Sequence, residues 1–436
     1  LNRDFVSIKV DREERPDVDA VYMSVCQALT GSGGWPLTVI MTPQQKPFFA
    51  GTYFPKHRRY GQPGLTDILN QTARLWQDDR QQLARAGEQI AAALVQDQPS
   101  GSKEPNKELL RKGYLLFRQR FDATWGGFGP APKFPAPHNL LFLMRYAELE
   151  QEPDALTMAE ATLQAMARGG IHDQFGGGFS RYSTDEKWLA PHFEKMLYDN
   201  ALLLMAYGTA YQLTQKDSYA DTARRTADYI LRELTDESGG FFCGQDADSD
   251  GVEGKYYLFT PEEIREELGE EDGRKICQLY GITECGNFDG KNIPNRIGQE
   301  EPALPASDER LQKLRAYRLN RTALHKDDKI LLSWNAWTIL ALARAGRALA
   351  DERYGEAAIQ AARFIEGNMT NAQNRLFLRW RDGQAAHDGQ LEDYAVYALA
   401  LIELYRLTFD PAYLKNAIER ARQMVELFED KKRGGY

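Results

Sequence analysis

The chain returns four times to the same kind of loop, in which two glycines lead into an aromatic residue: Trp125-Gly126-Gly127-Phe128, Gly176-Gly177-Gly178-Phe179, Gly239-Gly240-Phe241-Phe242 and Gly434-Gly435-Tyr436. The spacing is roughly 50 to 60 residues except in one longer interval, where Leu376-Phe377-Leu378-Arg379-Trp380 takes the place of one loop without glycines. A fixed period of that size marks an internal repeat. Between the loops the apolar residues recur at helical spacing, predicting paired helices over 139–148 and 154–168, 193–213 and 219–234, 332–349 and 356–368, and 392–407 and 411–429. In each pair one helix is the more apolar, which suits a buried inner layer, while its amphipathic partner suits an outer layer wetted on one face. Repeated hairpins of this kind predict an all-α (α/α)6 barrel. About five of its six hairpins are expected, the last inner helix falling beyond Tyr436, and residues 261–321 fit the repeat poorly and read as an insertion.

Residues 1–95 read differently. The turn Gly31-Ser32-Gly33-Gly34 leads into Trp35-Pro36, a dipeptide at which a cis bond costs little, and then into the β-branched run Leu37-Thr38-Val39-Ile40-Met41. A second strand over 47–53 follows a short turn at Pro43-Gln44-Gln45-Lys46, so the two should pair antiparallel. Alternation predicts a further strand over 5–11, followed by a helix over 16–28, and a helix over about 65–94 closes the unit. The order β-α-β-β corresponds to the second half of a thioredoxin-like α/β domain, with Trp35 and Pro36 on its substrate-facing loop. Thiol chemistry in such a fold needs a Cys-x-x-Cys at a helix start, where the helix N-terminus lowers the thiol pKa; the sequence contains none. The chain begins with Leu and stops in mid-pattern, so it reads as a fragment lacking both ends. Residues 96–106, Gln-Asp-Gln-Pro-Ser-Gly-Ser-Lys-Glu-Pro-Asn, read as a linker to a barrel over 107–436.

Composition narrows the function classes. A net charge of −9, with no Lys/Arg cluster interleaved with aromatics, argues against a nucleic-acid partner. No run approaches the ~18 apolar residues of a membrane span. Cys26, Cys243, Cys277 and Cys285 are isolated, forming neither a disulfide framework nor a zinc pattern, a usage that suits a reducing cytoplasm.

Several segments together resemble one family. They are Val10-Asp11-Arg12-Glu13-Glu14-Arg15-Pro16-Asp17, Gly33-Gly34-Trp35-Pro36, Ala50-Gly51-Thr52-Tyr53-Phe54-Pro55, Pro191-His192-Phe193-Glu194-Lys195-Met196-Leu197-Tyr198-Asp199-Asn200, Asp246-Ala247-Asp248-Ser249 and Ser333-Trp334-Asn335. The chain resembles, over its whole length, the thioredoxin-domain-containing proteins of the spermatogenesis-associated protein 20 type. The resemblance implies a thioredoxin-like domain joined to a six-hairpin-glycosidase-like barrel, similar in fold to sugar epimerases and unsaturated glucuronyl hydrolases. It implies no established substrate. In that family the thioredoxin half carries a Cys-His-Trp-Cys motif, which this sequence lacks.

Chemistry is therefore sought among the residues. Read as a helix, residues 191–200 put His192, Met196 and Asp199 at i, i+4 and i+7, so imidazole and carboxylate share a face at a barrel mouth. Asp246 and Asp248 lie in Asp-Ala-Asp-Ser-Asp-Gly, which opens like a calcium loop but has Tyr257 where a bidentate Glu belongs. These carboxylates are read as lining the barrel mouth, as acid, base or hydroxyl-binding groups, or as pinning a hairpin. His192, Asp199, Asp246 and Asp248 are the catalytic candidates. Tyr182, Trp188, Glu194, Trp334, Asn335 and Asp393 are the substrate-binding candidates: aromatic rings for stacking on sugars, polar groups for a shared cavity, with core packing and helix capping as their plain alternatives. Epimerases of this fold generally use paired His bases; beside His192 the sequence offers His172, His325 and His387, none in a comparable context. The expected function is a carbohydrate-active barrel, a sugar isomerase or epimerase or a glycoside hydrolase-like enzyme, with a small-molecule carbohydrate ligand and no cofactor or resident metal. A thiol-redox or ligand-binding protein with a non-catalytic barrel is the alternative.

Overall fold

The computed structural model describes residues 1–59, 61–96, 106–299, 301–432 and 434–436 and divides into two compact units, Leu1–Glu104 and Pro105–Tyr436. Residues 97–105, most of the expected linker, lie outside the described residues, as does Arg433, which precedes Gly434-Gly435-Tyr436.

In the first unit the elements are α1 (Pro16–Thr30), β1 (Thr38–Met41), β2 (Pro47–Gly51), α2 (Leu65–Asp78) and α3 (Arg80–Gln96). β1 and β2 pair antiparallel, Thr38 opposite Gly51 and Ile40 opposite Phe49, as a short connection requires. Val25 and Cys26 of α1 pack on Ala50 of β2. The Trp35-Pro36 bond is cis, and Trp35 is held on both sides: its indole N–H donates to Asp19 at 2.9 Å and the Arg12 guanidinium lies 3.8 Å from its ring centre. Two expectations are corrected. Residues 5–11 form no strand, because alternation supplies a face but a strand also needs a ladder partner; Val6 and Ile8 stand 92% and 77% exposed. The closing helix is two helices, broken at Asp79, whose backbone leaves the helical region.

The second unit is built from α4 (Lys107–Arg120), α5 (Pro137–Glu150), α6 (Pro153–Arg168), α7 (Leu197–Thr214), α8 (Asp217–Tyr229, continued by a π turn Ile230–Leu234), α9 (Pro261–Leu268), α10 (Glu270–Leu279), α11 (Glu309–Arg321), α12 (Leu332–Leu349), α13 (Glu352–Asn368), α14 (Leu391–Thr408) and α15 (Pro411–Phe428). Helices α5, α7, α12 and α14 adjoin one another in that order as an inner layer, and α6, α8, α13 and α15 pack behind them. This is an (α/α) toroidal array. Each inner helix passes to its outer partner through the same tight turn, with Gln151, Gln215, Ala350 and Phe409 all left-handed at φ of 52–57°. Every long connection therefore runs from an outer helix to the next inner one, at the opposite end of the layer. Those connections carry the short strands β3 (Tyr182–Ser183), β4 (Pro191–His192), β5 (Lys195–Met196), β6 (Gly244–Gln245), β7 (Asp248–Ser249), β8 (Val252–Glu253), β9 (Lys326–Asp327), β10 (Ile330–Leu331), β11 (Phe377–Arg381) and β12 (Gln384–Asp388).

Two of the glycine-aromatic loops are locked by an asparagine of the following inner helix, and the loop without glycines is held from the same helix position. In the fourth residue of α7, Asn200 accepts the Phe179 N–H at 2.7 Å and returns its amide to the carbonyls of Phe179 and Met196. In the fourth residue of α12, Asn335 does the same with Phe241 and Leu331. In the fourth residue of α14 the hydroxyl of Tyr394 accepts the Leu376 N–H at 3.0 Å. The glycines are needed at this close approach: Gly178 has φ +76°, and a Cβ there would stand 2.4 Å from the Tyr229 ring. The residues between α8 and α12 form a satellite core around Phe259, Ile264, Tyr280 and Leu314. It is tied to the α6–α7 connection by Asp173, which takes Arg318 in two contacts at 2.9 and 2.7 Å and Lys195 at 2.9 Å.

Candidate functional site

The site is assembled by the strands at the long-loop end. His192 lies opposite Tyr182 in the β3–β4 pair, and their rings stack at 5.3 Å. The expected helix over 191–200 is thus corrected: Pro191 and His192 form a strand, α7 starts only at Leu197, and His192 and Asp199 share no helical face. The chain brings them to one region by another route. Glu194 follows His192 and accepts Arg181 Nη1 at 2.9 Å, while its Oε2 stands 3.7 Å from His192 Nε2. His192 Nδ1 meets Glu253 Oε1 at 2.7 Å. Carboxylates thus flank both ring nitrogens of His192, Glu253 in hydrogen-bond contact with Nδ1 and Glu194 farther off at Nε2.

Asp199 stands in the first turn of α7 with only 8% of its surface exposed, and its Oδ2 has no hydrogen-bond partner. Burial pushes its pKa up to about 7; the Arg181 charge opposes that and the Glu194 charge adds to it. Tyr198 hydrogen-bonds Asp199 and its ring meets Trp334 edge-on at 4.8 Å. An imidazole hydrogen-bonded to a carboxylate, and a carboxyl group that burial keeps partly protonated near neutrality, are the kinds of group general acid–base catalysis uses; Glu194 links them, standing 3.7 Å from His192 and acting by its charge on Asp199.

The remaining candidates divide. Asp248 is exposed and lies opposite Glu253 in the β7–β8 pair, so it shares the hairpin that reaches His192. Asp246 is also exposed, and its Oδ1 accepts the Asp248 N–H at 3.3 Å. Three substrate-binding candidates are corrected. Trp188 is wholly buried, with its indole N–H bonded to the Trp125 carbonyl, because the flanking glycines let it pack into the repeat: a Cβ on Gly169 would stand 2.3 Å from its carbonyl oxygen. Asn335 is the loop clamp described above. Asp393 accepts the N–H groups of Ser333 and Gln390 at 2.9 and 2.7 Å, joining the starts of α12 and α14, and burial pushes it up to about 7. As a second base His172 is unsuited: burial, with Arg225 nearby, pushes it down to about 3. His325 and His387 are exposed at the same end of the array.

Sequence reasoning missed Glu253, since nothing in a chain pairs residues 61 positions apart. Tyr198 stood within the motif as one aromatic among several.

Residues 1–95 match the thioredoxin DsbH-like family described as "Protein of unknown function, DUF255", which marks a thioredoxin-like unit. The whole chain is 35% identical to spermatogenesis-associated protein 20 of Homo sapiens and 34% identical to that of Mus musculus. It spans 62% of the length of each of these relatives. Among solved structures, it is similar to a GH76 alpha-mannanase of Bacteroides thetaiotaomicron, at a TM-score of 0.47 and 13% identity over 75% of this chain and 72% of that one. It is also similar to a cellobiose 2-epimerase of Bacillus thermoamylovorans, at a TM-score of 0.33 and 15% identity over 76% and 90% of the two chains. Among the described residues no helix is long and apolar enough to cross a membrane.

Proposed function

We propose that this chain, a homologue along its whole length of spermatogenesis-associated protein 20, carries a proton-transfer site for a carbohydrate at His192 and Asp199. The observation that carries the reading is Asp199: a buried carboxyl group with an unpartnered oxygen, raised to about 7, which has Glu194 as a neighbour in common with an imidazole whose Nδ1 is engaged by Glu253. In an aldose–ketose isomerisation, His192 Nε2 takes the proton from C2 as Asp199 gives its proton to the carbonyl oxygen. The C1–C2 enediol forms. Asp199 then recovers a proton from the C2 hydroxyl and His192 returns its proton to C1, so one imidazole suffices and no second base is required. Arg181 offsets the negative charge that develops on oxygen. The surface of Tyr182, Tyr198 and Trp334 offers rings for the apolar faces of a sugar.

A panel of aldoses followed by proton NMR in heavy water tests this. Loss of the C2 proton signal, abolished by His192→Gln, is the expected result; unchanged spectra for every sugar count against it. The protonated Asp199 equally suits protonation of a glycosidic oxygen, as in glycoside hydrolysis, with an exposed carboxylate of the β7–β8 hairpin as its partner. Release of reducing sugar from glycosides without C2 exchange would favour that second reading.

A further inference from the structure

At the short-turn end of the inner layer, a cavity of about 210 Å³ opens between α7, α12 and α14. Its charged wall is a single carboxylate held by three guanidinium groups. Glu403, with 3% of its side chain exposed, accepts Arg344 at 2.9 Å, Arg347 at 2.5 Å and Arg406 at 2.8 Å. One bidentate arginine satisfies a carboxylate. Three leave this cluster two positive charges in excess, in a chain whose net charge is −9. Arg347 and Arg406 stand in the last turns of their helices, where a cation also answers the helix dipole. Arg344 stands a turn earlier, and its dipole contribution is small.

Each guanidinium commits one nitrogen to Glu403 and remains 39–56% exposed, so N–H donors are left over. Thr209 and Gln212 of α7 add neutral polar groups to the same wall. Gly208 keeps the space open, since a Cβ there would meet nothing within 4 Å. The volume equals that of about seven waters at ~30 Å³ each, room for a phosphate group and a few carbon atoms.

We infer that this cavity binds a small anion carrying two or more negative charges, a phosphate ester or a polycarboxylate, at a site separate from the one around His192. Isothermal titration of the chain at constant ionic strength, with inorganic phosphate and then citrate, tests it. Saturable heat is expected, weakened about tenfold by Arg344→Gln, the loss of one charge-assisted contact. Gly208→Leu leaves every ion pair in place, favours the helix and fills the cavity, and should abolish binding. Binding of phosphate alone assigns a phosphate ester, and of citrate alone a polycarboxylate. No saturable heat from either anion, or binding untouched by Gly208→Leu, overturns the inference.

Discussion

Asp199 joins stability and the proposed chemistry in one side chain. Burial raises its pKa from 3.8 to about 7, so between about pH 4 and 7 the folded chain keeps a proton that the unfolded chain has released. The stability contribution therefore falls as pH rises through that window and stays low above it. Asp199→Asn has no ionised form to bury, and it is expected to be more stable than the parent by about 1–3 kcal/mol at pH 8 and equal to it near pH 4. Thermal unfolding of both chains at the two pH values checks this; an equal difference at both would show that Asp199 is not the group responsible. The same substitution should lower the rate of the proposed C2 proton exchange by at least ~10²-fold, since the acid is removed. In the parent the rate should decline above about pH 7 as Asp199 loses its proton. His192 and Asp199 were singled out in the sequence by a helical spacing that the structure does not form, since α7 starts only at Leu197. Glu253 was not, because only the β7–β8 hairpin brings it to His192.

The repeat is enforced by elements of uniform construction. Four inner helices end in left-handed residues, none of them glycine, and left-handed backbone is costly for a residue with a Cβ. Ala350, exposed at φ 52°, is the simplest to relieve: Ala350→Gly should stabilise the chain by about 0.5–1 kcal/mol. A rise in the denaturation midpoint without a change in slope is the expected reading, and a fall would mean that unfolded-state entropy dominates. Helix positions were readable from apolar periodicity, to within a few residues at most ends. The start of α7 was not, because Pro191 fits the first turn of a helix as well as a strand, and only the pairing of β4 with β3 and of β5 with β6 selects the strand. Asn335 was misread for a related reason. A buried asparagine calls for partners, and the partner is the backbone of Phe241, 94 residues away.

In the helical unit, the network of Asp173, Lys195 and Arg318 binds the satellite core to the array. Burial alone would raise Asp173, but Arg318 and Lys195 outweigh it and hold its carboxyl well below the usual range. That contribution is present above about pH 4 and is lost as pH falls below it. Asp173→Ala strands two buried cations and should cost about 3–5 kcal/mol by urea denaturation, a loss that Lys195→Met partly relieves in the double variant. Equal losses in single and double variants would contradict the coupling. Lys195 stood in the 191–200 motif without a role and the other two drew no notice, since each is an ordinary charge until its partners, 22 and 145 positions away from Asp173, are known.

By itself the sequence determined the helical repeat, its inner and outer layers, the strand pair after Trp35-Pro36, and the segment that holds His192 and Asp199. These follow from periodicity and turn chemistry, which are local properties of a chain. Tertiary structure alone decided that residues 5–11 find no ladder, that Trp188, Asn335 and Asp393 serve the scaffold, and that Glu253 orients His192. Burial and long-range pairing set those outcomes: backbone N–H groups reach the buried carboxylate of Asp393 and make it a cap, whereas that of Asp199 keeps an unpartnered oxygen.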